Sequence, residues 1–397
     1  MHGVVITSGH QPGFHHPGIL AKRFALDSEA TASGGQAMWL VADQDVDDPE
    51  VIRYPDLDQE GRLIARSWRL LPSHRGMPTA MRPWGPISPP PRVSQQLPES
   101  IQNGLIAIHE SLESVEGTTV GQRFTAANER LLAGLVQREV TMIRASELLD
   151  TEQGRDALQR IIEDPNECAS IWNEGLRLAP RSARALKVDQ GDPDGTEVPA
   201  WAIDSNGLRR PATVRDAKSA VDGSAKLMPR AFLMTALFRS LSNAPMIHGT
   251  GGGRYEVVTD HWARAFLGVS LPPIQVVTCD LLLPLAPFVD PAAYSGVRNA
   301  LRVLEHDPWK TPETKHGWIQ RIQEAPRGSA QRRSCFAQMH EAMKEQRRSV
   351  EDELERMRAI TSRQAAQNRQ AEIAQSRSWA WPLYNQVDLL EMMHGRR

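Results

Sequence analysis

At 397 residues the chain is long enough for two or three domains, and a 40% hydrophobic content supports a substantial core. Its 46 basic and 48 acidic residues leave a net charge of -2, which excludes any global attraction to nucleic acid or to an anionic membrane. The cysteines Cys168, Cys279 and Cys335 are far apart and form no CxxC, which excludes a disulfide framework or zinc knuckle and suits a reducing cytoplasm.

The first element is the most informative. Val4, Val5 and Ile6 are β-branched and fit a buried parallel strand, after which Gly9, Pro12, Gly13, Pro17 and Gly18 permit sharp turns. Ile19, Leu20, Arg23, Phe24 and Leu26 then open a helix whose first turn falls near Pro17 or Gly18. Unpaired N–H groups and the positive dipole end favour an anion there, and His10, His15 and His16 surround it. Either the turn cradles a phosphate or carboxylate at the carboxyl edge of a parallel sheet, or it is only a turn. Gly35 to Ala42 reads as strand two and ends in an acidic tip of Asp43, Asp45, Asp47 and Asp48. An EF-hand is rejected, because its sixth position is Asp48 rather than Gly and its twelfth is Tyr54 rather than Glu.

Arg62 to Leu71 alternates as a strand, and the Pro-rich stretch from Pro72 to Pro91 is an extended connector. Pro98 to about Leu178 is helical, with a strand at Val140 to Ile143. Val198 to Val214 reads as a hairpin turning at Asn206-Gly207, decorating the parallel sheet rather than joining it. A helix from Pro229, a strand at Ala244 to His248 and a glycine-rich turn then repeat the opening logic, leading to a helix with Val257, Val258, Trp262 and Phe266 on one side. The turn matches neither GxGxxG nor a P-loop. Ile274 to Leu283 is expected as a buried strand, with Cys279 a small core residue rather than a nucleophile. The later run Ile274 to Val289 is broken by Asp280 and two prolines, so no membrane span is read, nor is an export signal at the amino terminus. Phe336, Met339, Met343, Gln346, Val350, Leu354, Met357, Thr361 and Gln364 trace a coiled-coil seam with one stutter, and Trp379 to Tyr384 an aromatic anchor that docks on the core.

Two separated regions together resemble the cysteine-adding enzyme family of bacillithiol biosynthesis, BshC. SGHQPGFHHPGILAK is similar to its first motif, MWLVADQDVDD to its next strand and acidic loop, and LMPRAFLMTALF with HGTGGG and the helix to Trp262 to its second nucleotide-fold half. The charged late helix and closing WPLYN also fit, so the resemblance covers about half the chain. It implies an α/β fold, with a Rossmann-like parallel core, helical insertions and a dimerising C-terminal coiled coil. The expected division is 1–90 and 226–310 for the two core halves, 91–225 for a helical insertion with the hairpin, and 311–397 for the coiled coil and docking helix. It also implies a ligase that joins the cysteine carboxylate to the amine of glucosaminyl malate. His10 stands in place of the family's first Gln and Met234 in place of an Arg, and the chain is shorter than typical members. A weaker resemblance is to the WbqC group, through His10, Gln11 and Pro12 alone.

For that chemistry, His10 and His16 are candidate phosphate donors, and Asp43 and Asp45 are candidates to orient the amine or hold Mg2+. Gly9, Gly13, Lys22, Gly251, Gly252 and Arg254 are candidates to hold ATP or ADP. All are expected to converge at one sheet edge, and no transition metal is expected. The expected partners are small-molecule substrates and a second copy of the chain. The alternative is a non-catalytic, dimeric nucleotide- or anion-binding scaffold.

Overall fold

Strand β1 (Val5–His10) is buried on both faces, as its β-branched start predicts, and α1 (Pro17–Ser33) follows it with Pro17 in its first turn. Beside it lies β2 (Gln36–Val41), paired in parallel from Val5 opposite Gln36 to His10 opposite Val41. At Gly9 a Cβ would fall 2.5 Å from that of Leu40, so only glycine lets the two strands run this close. The computed structural model describes residues 3–289, 312–326, 329–348 and 350–393, and for 312–315, 347, 357 and 360–368 the backbone alone. The fold is mixed α/β.

The chain divides into two units. The first comprises Met1–Leu57, Ala65–Leu283 and Ser376–Arg397, the second Asp58–Ile64 and Pro284–Gln375. Around β1 and β2 the first unit adds β3 (Val51–Leu57); β4 (Leu63–Arg69), which belongs to this unit from Ala65 on, pairs to it as a separate ribbon. It continues with helices α2 (Glu99–Ser114) and α3 (Val120–Leu132), strand β5 (Thr141–Arg144), and helices α4 (Glu152–Glu163) and α5 (Pro165–Gly175). Then come β6 (Glu197–Ile203), β7 (Arg209–Thr213), α6 (Val214–Val221), β8 (Lys226–Pro229), α7 (Ala231–Arg239), β9 (Met246–His248), the single turn α8 (Thr250–Gly253), α9 (Glu256–Trp262) and β10 (Ile274–Val276).

Five strands form one parallel sheet in the order β10-β9-β1-β2-β5. Ile6, Ala37 and Ile247 share a cluster with Leu26 and Ala30 of α1. Leu40 and Met246 belong to the larger core cluster, with α4, α5, α7 and α9. There Trp172 meets Phe232 at 4.5 Å between ring centroids and Trp262 edge-on at 5.9 Å. The hairpin at Asn206-Gly207 is formed as expected and lies in a separate antiparallel sheet, β7-β6-β8.

Several expectations need correction. The segment Ile274 to Leu283 is a strand only over Ile274–Val276, at the sheet edge, with Val276 half exposed; the polar Gln275, Thr278 and Asp280 do not fit a strand buried on both faces. Val257 is exposed while Val258, Trp262 and Phe266 are fully buried, since at 100° per residue Val257 turns off the core stripe. β3 and β8 were not anticipated. The seam from Phe336 to Gln364 is divided between two helices, Ala330–Arg348 and Glu351–Ala374, and the side chains of Met357, Thr361 and Gln364 lie outside the described residues. In this second unit Arg332 donates to the carbonyls of Ile322 and Ala325, tying down the end of the preceding helix, Pro312–Glu324.

The aromatic anchor docks as expected. Trp379, Trp381, Leu383 and Tyr384 are buried, and Trp381 donates its N–H to the His15 carbonyl (2.7 Å) and its indole N–H to Asn128 (2.9 Å). Among the described residues, no helix is long and apolar enough to cross a membrane.

Candidate functional site

β1 and β9 are parallel neighbours, and the chain leaves their carboxyl ends in different directions, toward the histidine loop before α1 and toward the glycine turn α8. Between them opens a crevice of about 580 Å³. Of the residues singled out in the sequence, Gly9, His10, His16, Lys22, Gly251 and Gly252 line it.

Lys22 is the most unusual of these. Its side chain is almost completely buried one turn into α1, its ammonium donates to the Gly9 carbonyl, and the Trp39 ring lies 5.6 Å away. Burial without a carboxylate partner pulls its pKa from 10.5 to about 7. The histidines are likewise discharged. Burial first, then His15 and Lys22, holds His10 well below its ordinary value; burial brings His15 to about 4, and burial followed by Arg377 lowers His16. All three imidazoles are therefore neutral near pH 7. His10 Nδ1 lies 3.0 Å from His15 Nε2, which also lies 2.7 Å from the Gln11 carbonyl.

The backbone N–H groups left open to an anion lie at the second turn rather than the first. At the start of α1, Pro17 has no N–H, His16 Nδ1 accepts the N–H of Gly18, and Ile19 and Leu20 donate to the His16 carbonyl. His16 itself thus takes the position an anion would fill. In α8, by contrast, the N–H groups of Thr250, Gly251 and Gly252 donate to no carbonyl or side chain among the described residues, whereas Gly249 donates to His248 Nδ1 and Gly253 to the Gly249 carbonyl. Three successive free N–H groups in a glycine turn are an arrangement that can accept an anion. A Cβ at Gly252 would fall 1.4 Å from the His248 ring, so any other residue there moves that ring.

Four candidates lie elsewhere. Asp43 is buried, with one carboxylate oxygen accepting from Ser146 N–H (2.9 Å) and the other from its hydroxyl (2.7 Å), so it joins β2 to the segment after β5. Asp45 accepts from Gln11 (3.1 Å) and pairs with Arg209 (3.2 Å), whose guanidinium also donates to the Gln44 carbonyl. Gly13, at φ 147°, shapes the far side of the histidine loop, against His15 and Pro49. Arg254 is exposed at the end of α8, since α9 opens with the buried Glu256 instead. Asp43, Asp45 and Asp48 of the acidic tip already have hydrogen-bond or ion-pair partners in the protein, so these three do not fit Mg2+. Among the described residues, no group of three or more His, Cys, Asp or Glu side chains is gathered around one point.

Other residues lining the crevice carried no local signal in the sequence. His248 and Tyr255 pack edge to face at 5.9 Å, with burial pushing the Tyr255 hydroxyl up to about 12. His248 Nε2 lies 3.6 Å from Glu256, itself held by the buried Arg239 at 2.8 Å. Arg377, brought in by the docked C-terminal segment, pairs with Asp280 and donates to the Cys279 carbonyl (3.0 Å). Cys279 is half-buried rather than part of the core, and burial raises its thiol pKa, which leaves it a poor nucleophile. No protein-family model matches the chain, and no curated protein matches it.

Proposed function

We propose that the chain binds the phosphates of ATP or ADP in the crevice between β1 and β9 and there joins a carboxylate to an amine, as the BshC ligases it resembles do. The observation that carries this reading is the run of free N–H groups at Thr250, Gly251 and Gly252, in the same crevice as the buried Lys22. The sheet order supports it. Numbered by their order in the chain, the five parallel strands run 3-2-1-4-5, the sequence of a Rossmann-like core, and the crevice falls where that order reverses.

On this reading a bound nucleotide supplies activation of the carboxylate. The α8 N–H groups and protonated Lys22 balance phosphate charge, and the proton lost by the attacking amine leaves on the departing phosphate. The neutral His10 and His16 keep further positive charge out of the crevice wall. No step is assigned to Mg2+. Cysteine as acyl donor and glucosaminyl malate as acceptor follow from the resemblance, as does a homodimer through a coiled coil built on the helices Ala330–Arg348 and Glu351–Ala374.

A non-catalytic nucleotide-binding scaffold is the second reading. The commitment of both Asp43 and Asp45 to protein partners favours it, because no free carboxylate then remains among the predicted catalytic residues. Calorimetry with ATP and ADP, with and without Mg2+, followed by phosphate-release assays with cysteine and an amino sugar, separates the two. Binding with release only when both substrates are present supports the ligase, and binding without turnover supports the scaffold. Absence of nucleotide binding overturns both.

A further inference from the structure

Lys22 is an amine as well as a charge. It is 2% exposed and lines the crevice of about 580 Å³ between β1 and β9. Its stem runs past the glycine turn: a Cβ at Gly249 would lie 3.9 Å from Lys22 Cδ, so no side chain at that position stands between the lysine and the crevice. The nitrogen donates to the Gly9 carbonyl, and among the described residues no carboxylate is paired with it and no group donates to it. A buried amine without a counter-charge favours its neutral form, and burial brings this one to about 7. At pH 7 about half of it is neutral, against about one part in 10³ for an ordinary lysine. One N–H of the neutral amine holds the Gly9 carbonyl, and the lone pair has no partner to release before it attacks.

We propose that Lys22 captures a small aliphatic aldehyde as an imine in this crevice. The neutral amine adds to the carbonyl carbon, forming the C–N bond while one proton passes from nitrogen to oxygen. The hydroxyl so formed departs as water with the second amine proton, as the C–O bond breaks and C=N forms. Both proton transfers run through water, which the crevice admits. The imine is uncharged, so it escapes the desolvation cost that the ammonium carries. His10, His15 and His16, the titratable groups that sense the lysine's charge, are neutral near pH 7 and neither pair with the amine nor repel it. Ile19, Leu40, Ala42, Met234 and Met246 supply apolar lining that suits an aliphatic chain. The capture needs no nucleotide, so it stands or falls separately from the ligase reading.

Reductive trapping tests it. The full chain, without nucleotide, is incubated at pH 7 with butyraldehyde and sodium cyanoborohydride, which delivers hydride to C=N and fixes the adduct as a secondary amine, and the labelling rate of each lysine is read by peptide mass spectrometry. Lys22 should be labelled at least tenfold faster than any other lysine side chain, and Lys22→Met should lose the fast adduct. Glycolaldehyde, whose hydroxyl gains nothing from the apolar lining, should show a smaller preference for Lys22. Gly249→Leu provides a variant that leaves Lys22 in place: at φ −84° and ψ 166° the backbone there accepts any residue, and the new side chain lies against the lysine stem. It should slow Lys22 labelling at least fivefold. No adduct on Lys22, an adduct no faster than on the other lysines, a fast adduct that persists in Lys22→Met, labelling unchanged in Gly249→Leu, or an equal preference with glycolaldehyde would each overturn the proposal.

Discussion

Replacing Lys22 by methionine tests the electrostatics of the crevice, because the thioether keeps most of the packing and removes the charge. In the folded chain burial brings this amine from 10.5 to about 7. Between those values the unfolded chain holds a proton that the folded chain has released, so wild-type stability rises with pH across that window. Below about pH 7 both states are protonated and the penalty is constant. The full span corresponds to roughly 5 kcal/mol, of which about 3 kcal/mol falls between pH 7 and 9.5. The methionine variant lacks this contribution. It also loses the hydrogen bond to the Gly9 carbonyl, at about 1–2 kcal/mol, which leaves it roughly 2–3 kcal/mol more stable than wild type at pH 7. Urea unfolding of both proteins at pH 7, 8 and 9.5 measures the difference directly. Parallel pH profiles, or a variant less stable than wild type at pH 7, would refute the claim that Lys22 is buried without charge compensation.

ADP affinity, on the same argument, should fall about tenfold from pH 7 to 8.5 as Lys22 loses its proton, and calorimetry should find that dependence gone in Lys22→Met. Asp43→Ala should cost about 1–3 kcal/mol by stranding the Ser146 N–H and hydroxyl, whereas Asp43→Asn should be nearly neutral; neither should change ADP affinity, and a large loss of affinity would return Asp43 to the site. Arg239→Met should cost about 3–5 kcal/mol by leaving Glu256 buried without its partner, and adding Glu256→Met should recover most of that in thermal unfolding. Gly252→Ala should weaken ADP binding, because the added methyl pushes aside the His248 ring, whose Nδ1 accepts the Gly249 N–H at the head of the turn; unchanged affinity would place the ligand elsewhere.

Much of the frame was legible because its signals are local. The β-branched start of β1, Pro17 at the head of α1, the Asn-Gly hairpin and the clustered tryptophans near the C-terminus each carry their own physical reason. β3 was missed because Arg53, Pro55 and Asp56 break any alternation in its seven residues, and β8 because its four residues end in the proline read as a helix start. The site was legible to the level of which turns meet, since parallel strands put successive carboxyl ends on one edge. The roles within it were not. What Asp43 does depends on Ser146, 103 residues away, and what Asp45 does depends on Arg209. The glycine turn failed two sequence patterns, yet what distinguishes it is which N–H groups lack acceptors, a property of the folded backbone.

The docked C-terminal segment sets the order in which the crevice can be completed. Trp381 pins the His15 carbonyl, and the Pro382 carbonyl occupies space on α2 that a Cβ at Gly104 would enter to within 2.2 Å. The histidine loop precedes its clamp in the chain, so on the ribosome it emerges before the clamp is made. Until then the seat on α2 is an open notch, and the loop above it has no fixed end. The same geometry gives a protease a lever: a cut just ahead of Ser376 frees the clamp while leaving every strand of the sheet covalently intact, so ligand affinity and sheet stability become separately adjustable.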